Sequence, residues 1–214
     1  MDVKPGPQRD RKSRREQAAE DTRAALVETA RSLFAERGYA DVSIDDITEG
    51  TRVTRGALYH HFEDKRELFR AVVEEVERDL TEEVRCKGRE ARDPWEQLRA
   101  VCEAYLDACL RPEVQRIIVL DAAPVLSWRV WCEIDKRYGL GVFEEQLANA
   151  CDAGLIETKS VETAAQLLLG ALNTGARVVA DATDKAAARR SVVETIERLL
   201  AGLCVSREPD RKAR

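Results

Sequence analysis

Residues 47–62 read ITEGTRVTRGALYHHF, and the spacing of their apolar side chains decides how this end of the chain folds. Ile44 and Ile47 lie three positions apart, on one face of a short helix. Leu58 and Phe62 lie four apart, on one face of a second short helix, and Val53 falls between the two and plugs a turn. Ser43 precedes the first helix with Asp46 three positions on, an N-cap with an acid in the first turn. The turn itself is Thr51-Arg52-Val53. If residue 52 is left-handed, glycine would be its easier occupant, and arginine costs on the order of 1 kcal/mol. The spacing from Ile47 through Val53 to Leu58 is intact, so the turn is expected to be strained and not abolished.

Two short helices meeting at a tight turn form a helix-turn-helix, whose second helix enters the DNA major groove and reads base edges near its N-terminus. Between the apolar anchors the expected outward positions are Thr54, Arg55, Gly56, Tyr59 and His60. A hydroxyl, a guanidinium, a gap, an aromatic and an imidazole suit a groove better than plain solvent. Arginine can pair bidentately with guanine, worth about 1–3 kcal/mol of discrimination, while Tyr and His tips more often serve phosphates. Arg52 either adds a phosphate contact or is simply solvated. Adjacent residues on a helix diverge by about 100°, and the chain holds only two histidines, so His60 and His61 are not read as a metal site.

Every strong periodicity elsewhere is helical, and the fold class is all-α. Leu26, Val27, Ala30, Leu33 and Phe34 mark a helix over 20–37, closed by Gly38. Asp64 and Glu67 cap a long helix whose buried stripe is Phe69, Val72, Val73, Val76, Leu80 and Val84. The polar run 86–94 is the first break. Further helices are expected over 94–110 and from Trp128 towards Cys151, with "DAAPVLS" as a turn before the latter and Gly139 and Gly141 loosening its middle. Residues 161–182 are apolar almost all round, as in a helix buried on more than one side. The last helix, 185–203, carries Val192, Ile196, Leu199 and Leu203 in a stripe wide enough to face its own domain and another subunit.

The net charge of −5 argues, taken alone, against a nucleic-acid partner, but its distribution does not. Residues 1–66 hold 13 Lys/Arg and 13 Asp/Glu, five of the basic ones between Arg9 and Arg15. Partner choice follows such local fields. The six cysteines form no CxxC pair, so no zinc ribbon or thioredoxin-like motif is supported. Cys102 and Cys109, seven apart on one helix, are separated by about 10.5 Å of rise, too far for a disulfide. Most of the six are expected to be small buried apolar residues. The N-terminus has no apolar signal region and no run is long enough to span a bilayer, so the expected location is the cytosol, with no membrane partner. No nucleophile, phosphate loop or metal set is recognisable; neither an enzyme nor a cofactor is expected.

The runs ALVETARSLFAERGYADVSIDDI and VTRGALYHHFEDKRELFRAVV give residues 20–70 a clear likeness. With Gly56-x-Leu58-Tyr59-x-His61-Phe62, Lys65 and Leu68 in register, this part resembles the DNA-binding domain of the TetR (tetracycline-repressor-like) family of bacterial regulators. The departure is Arg52, where the family usually carries glycine. The resemblance implies a variable C-terminal helical domain, dimerisation through the last two long helices and an internal ligand pocket. It implies groove contacts from Thr54, Arg55, Gly56, Tyr59 and His60, and backbone contacts from Ser43, His61 and Lys65, with Arg52 a further candidate. The implied layout is a basic flexible arm (1–18), the DNA-binding domain (19–66), a ligand-binding and dimerisation domain (67–205) and a flexible tail (206–214).

The ligand half speaks more softly. Trp128, Trp131 and Tyr138 share a helical face, with Tyr105 as a neighbour; they line a pocket or simply pack the core. Gln166, Asn173 and Arg177 form a polar stripe that needs partners: a ligand, another subunit, or acids such as Asp121 and Asp135. Leu168, Leu172, Val192, Ile196, Leu199 and Leu203 are the dimerisation candidates. The expected function is a homodimeric repressor of a palindromic double-stranded DNA operator, released by a small, mostly hydrophobic molecule. The rivals are a thiol-based redox sensor on the same scaffold and an all-helical interaction module whose DNA reader is vestigial.

Overall fold

The structure, a computed structural model, describes residues 7–204, with side chains from residue 14 onward. The expected tail at 206–214 lies outside the described residues. Every regular element among them is helical, apart from an isolated antiparallel bridge between Ile156 and Cys204. The chain divides into two compact units, Met1–Val73 and Glu74–Arg214.

The first unit holds α1 (Pro7–Arg37), α2 (Ile44–Thr51), α3 (Arg55–His61) and the first turns of α4 (Lys65–Glu90). Its boundary falls at Val73 and not at residue 66, because Leu68, Phe69, Val72 and Val73 of α4 are buried. Phe69 packs edge-on against Phe34 at 5.2 Å and against Tyr39 at 4.9 Å. The arm expected through residue 18 is helical from Pro7 on. Proline suits a first helical turn, and the Arg-, Glu- and Ala-rich run that follows is good helix-forming sequence. Residues 1–6 and the side chains of Arg9, Arg11 and Lys12 lie outside the described residues. At the other end of α1, Gly38 takes φ 82°, the left-handed closure expected there.

The second unit holds the rest of α4 with α5 (Pro94–Cys109), α6 (Pro112–Val114), a π-helical stretch (Gln115–Ala122), α7 (Ala123–Leu126), α8 (Trp128–Tyr138), α9 (Leu140–Asp152), α10 (Val161–Asp181) and α11 (Lys185–Ala201). Helix α4 runs on to Glu90, so the break expected over 86–94 shortens to the residues before Asp93, whose carboxylate caps α5. "DAAPVLS" is not a turn. The chain stays helical to Leu126 and bends at Ser127, which has φ 78°. Pro124 cannot donate to the carbonyl one turn back and crowds it, and the wider π-turn before it absorbs that mismatch. Gly139 separates α8 from α9, the loosening expected near the middle of that run. The core is built on α5, α9 and α10, from Leu98, Val101, Phe143, Leu147, Leu172 and Ala176 among others. Helix α11 closes on it through Ile196 and Leu200. That approach is close: a Cβ on Gly175 would lie 2.6 Å from Val192 Cγ1.

The turn between α2 and α3 keeps its geometry despite the arginine. Arg52 is left-handed, at φ 57° and ψ 31°. Its N–H donates to Glu49 O at 3.3 Å and that of Val53 to Thr48 O at 3.2 Å. This is a Schellman closure with arginine at the usual glycine position. Arg52→Gly should raise the unfolding free energy by up to about 1 kcal/mol, or leave it level if chain entropy offsets the gain. Arg52→Val, β-branched in the same conformation, should lower it by about 1–2 kcal/mol. Denaturant melts of the two variants check both signs.

Candidate functional site

Helix α3 is presented by a rigid support. Ile47, Leu58 and Phe62 are buried, with Ile44 and Val53 half-buried beside them. The Arg23 guanidinium lies over the Phe62 ring at 5.1 Å. Thr54 caps α3, its hydroxyl accepting from Ala57 N at 3.2 Å. Ser43 caps α2: its hydroxyl accepts from Asp46 N at 3.1 Å, and Asp46 accepts from Ser43 N at 2.7 Å. The Ser43 hydroxyl also donates to Asp46 Oδ2 at 2.5 Å, and this bond, with those from Ser43 N and Arg37, holds the Asp46 carboxyl at about 2.

The five residues expected to face outward, Thr54, Arg55, Gly56, Tyr59 and His60, are all exposed. Apart from its chain neighbours, a Cβ on Gly56 would meet nothing nearer than the Thr54 hydroxyl at 4.0 Å, so its backbone is open to close approach. His61 is half-buried, its ring 5.5 Å from that of His60, and no group of metal ligands exists among the described residues. Lys65 differs from expectation. Its Nζ donates to Tyr39 O and Val42 O, each at 2.8 Å, and lies 4.0 Å from the Tyr39 ring centre. Partial burial lowers its pKa. Lys65 therefore fastens the loop before α2, and one N–H is left for any phosphate. Ser43 is likewise committed to its cap.

One partner escaped sequence reasoning. Arg55, on the reading helix, is held by Asp45 of α2 through Nε–Oδ1 at 2.6 Å and Nη2–Oδ2 at 2.7 Å. Both side chains are largely exposed, so the pair adds little stability. Its geometry matters more: the carboxylate offers the fork two acceptors side by side, as a guanine edge does.

In the second unit the ligand candidates separate. Tyr105 is buried, and its hydroxyl donates to Asn173 Oδ1; Asn173 Nδ2 donates in turn to Asp135 Oδ2 at 3.0 Å. Of the alternatives open for Asn173, the internal acid is the one present. Arg177 is exposed and donates to Val119 O at 3.1 Å. Trp131 is buried, Tyr138 half-buried under Arg78, and Trp128 is 69% exposed at the start of α8. The shared face expected for Trp128, Trp131 and Tyr138 is thus not a single lining. The network contains one residue not singled out from sequence: Glu77 of α4, fully buried. It stands three and four positions from Leu80 and Val73, inside the apolar stripe, which is the signal that would have found it.

Burial, reinforced by Asp135, pushes the Glu77 carboxyl well above the usual range; burial, offset by the bond from Asn173, pushes Asp135 up to about 6. Burial likewise raises Cys102 to about 12 and moves Cys109 in the same direction. That is opposite to what a reactive thiol needs. Cys86 and Cys204 are exposed and Cys132 and Cys151 half-buried, so the expected role of small buried residue holds for Cys102 and Cys109 alone.

The expected dimer stripe also shifts. Leu168, Leu172 and Ile196 are buried inside their own unit. The large apolar residues turned outward on α10 and α11 are Leu167, Val178 and Leu199, at 71%, 53% and 57% exposure. With Gly170, Ala171 and Thr174 they line an open groove, which Val192 also reaches. Leu203 lines a neighbouring groove with Leu167 and Leu199.

A supported reading helix ahead of a separate helical unit is the plan of a DNA-binding regulator. Residues 26–72 match the family described as "Bacterial regulatory proteins, tetR family", and residues 95–203 match "Tetracyclin repressor-like, C-terminal domain". The chain belongs to the TetR family of bacterial transcriptional regulators. It is similar to the crystal structure of a TetR-family transcriptional regulator from Pectobacterium atrosepticum, at 38% identity and a TM-score of 0.79 over 89% of this chain and 97% of that one. It is 31% identical over 130 residues to the transposon Tn10 TetC protein of Escherichia coli, covering 61% of this chain and 66% of that protein. The match thus spans just under two thirds of that relative's length. The resorcinol complex of RolR shares the fold at 23% identity, with a TM-score of 0.71 over 86% of this chain and 89% of that one.

The raised acids carry a pH signature. A carboxyl whose folded pKa lies above its unfolded value contributes stability that is complete below the unfolded pKa and is lost as pH rises through the folded one. For Asp135 that window runs from its ordinary 3.8 to about 6. Asp135→Asn should therefore leave stability unchanged at the acid end and raise it at neutral pH, on the order of 1–3 kcal/mol. Unfolding curves of both proteins across that range should converge in acid and separate above it.

Proposed function

We propose that this chain is a homodimeric repressor that binds a partly palindromic double-stranded operator and is released by a small molecule held in the C-terminal unit. The observation that carries the reading is the exposed face Thr54–His60, held on a buried Ile47–Leu58–Phe62 skeleton. Thr54, Arg55, Gly56, Tyr59 and His60 enter the groove. Arg55 reads a guanine, while Arg52, His61 and the free N–H of Lys65 steady the flanking phosphates, and Ser43 contributes only by capping α2. A symmetric dimer places two such heads about one helical turn of DNA apart, roughly 34–36 Å. The dimer forms through the uncovered apolar strip of α10 and α11, where Leu167, Val178 and Leu199 are the central contacts. A regulator of this kind works in the cytoplasm, where its operator is.

Selection from random duplex DNA should enrich a two-fold symmetric site. Affinity for it should fall with salt at a slope near −0.9 per phosphate neutralised. Failure to enrich any palindrome would favour the vestigial-reader alternative. Arg55→Ala should cost about 1–3 kcal/mol and relax the preference at one base pair of each half-site. Asp45→Asn should strengthen binding to all sequences by a few fold, because it frees the Arg55 fork and removes a negative charge that faces DNA. Leu199→Asp should leave the fold intact while shifting the mass in sedimentation from dimer to monomer, with operator affinity lost alongside. Retention of the dimer by that variant would remove the α10–α11 strip from the proposal.

A further inference from the structure

Among the buried acceptor atoms of the C-terminal unit that have no donor are both carboxylate oxygens of Glu77 and Oδ1 of Asp135; Gln146 Oε1 and the Thr81 hydroxyl are unpaired as well. Glu77 is 1% exposed and Asp135 8%. Two donors near them are committed, while the Thr81 hydroxyl, one turn after Glu77 on α4, has no partner. The Tyr105 hydroxyl is given to Asn173, and the Asn173 amide to the other oxygen of Asp135. The charge of Asp135 is felt at Glu77, and the charges of both at Tyr105. These groups therefore converge from α4, α5, α8 and α10. The cations acting on the rim are elsewhere engaged or exposed: Arg111 pairs with Glu83 at 2.7 Å, and Lys136 is exposed. An unpartnered buried carboxylate costs several kcal/mol, and two side by side cannot both ionise. A core that only needed filling would carry a leucine at position 77, in line with Val73, Val76 and Leu80.

We infer that Glu77 and Asp135 are the anchoring site for a ligand with a positively charged nitrogen, an amine or amidine on a small apolar body. The inference rests on the reading of the C-terminal unit as the ligand-binding half of a regulator and names the class of molecule it takes. An ammonium group brings three N–H donors, matching the three open acceptors of Glu77 and Asp135, and cancels the charge that the two acids cannot both carry alone. A neutral hydroxyl donor fills lone pairs but leaves the repulsion in place. The apolar part has an aromatic wall at hand in Tyr105 and Phe143, whose rings meet edge-on at 5.9 Å. Leu169 and Asp135 share the corner beside Gly139, where a Cβ would lie 3.7 Å and 3.4 Å from them. Binding of a cation ionises the acids, so protons leave as it enters. The groups facing the pair are Tyr105 and Cys109 from α5, Cys132 from α8 and Asn173 from α10, and none of them is cationic. Affinity for the cation should therefore rise with pH through the range in which the acids would otherwise hold their protons.

The test is a matched series on the full-length protein: benzamidine and 2-phenylethylamine as cations, benzamide and 2-phenylethanol as neutral isosteres, benzoate as the anion, and resorcinol as a neutral two-hydroxyl donor. Calorimetry and operator release are read across pH 6–8 (a window set around the raised Asp135, which titrates at about 6). The expected result is binding and release by the cations alone, tighter at the upper pH and with proton release visible as a buffer-dependent enthalpy. Glu77→Gln should weaken the cations about tenfold or more while operator binding is retained, which also shows that the variant is folded. Binding of resorcinol or the neutral isosteres in preference to the cations would overturn the assignment. So would equal cation affinity in the Glu77→Gln variant, or no binding by any member of the series. In each of those cases the operator is still bound, so the repressor reading survives; loss of operator binding by the unliganded wild-type protein would instead be the failure of that reading.

Discussion

A helix of seven residues has no stability of its own in water, because nucleating a helix fixes several residues for a single hydrogen bond. Helix α3 exists because Leu58 and Phe62 are buried against the α1–α2 framework and because Thr54 satisfies the amide of Ala57. Everything about the reading surface depends on that borrowed stability. Apart from the capping Thr54, the exposed residues between the anchors are free to be chosen for DNA, since none of them is needed to hold the helix. Lys65 serves the same end from outside the pair: by tying the carbonyls of Tyr39 and Val42 it sets where α2 begins, and so where α3 can pack.

The second unit obeys the opposite logic. Its principal helices, α4, α5, α9 and α10, are long and amply apolar, so burial alone would stabilise them without help from polar groups. The chain nevertheless places Glu77, Asp135, Asn173 and Tyr105 together inside that core. Proteins retain destabilising buried charge where it serves specificity or switching. One unit thus uses apolar packing to display polar residues outward, and the other uses it to enclose them.

How far the sequence could be read follows from what each residue needs. The reading head was legible because its constraints are local: Ser43 with Asp46, Ile47 with Val53 and Leu58, and a left-handed residue 52 all involve spacings within a few positions. The outward face of α10 was not legible. A helix apolar on every side gives no periodic sign of which side its own unit covers, so nothing in the sequence shows that Leu168 and Leu172 turn inward while Leu167 and Val178 are exposed. Trp128 was misplaced because the bend at Ser127 starts α8 with that side chain turned to solvent. The Asp45–Arg55 pair joins two helices across ten positions, and no helical repeat connects them. Glu77 left its mark in the sequence as an acid within an apolar stripe, but one acid among so many carries weight only once its burial is known.

The Asp45–Arg55 pair has a kinetic consequence for a protein that must search a chromosome. On a stretch of DNA that offers no acceptor pair, the guanidinium keeps Asp45 and is never stranded, so passage over wrong sequence meets little resistance at this residue. At a guanine, on the reading proposed above, the fork would exchange one bidentate partner for another of similar geometry. Arg55 would then add little to the grip on DNA in general, and its effect would be felt as a difference between one base and the next. A residue balanced in this way sets how long the protein dwells at a site more than how often it arrives.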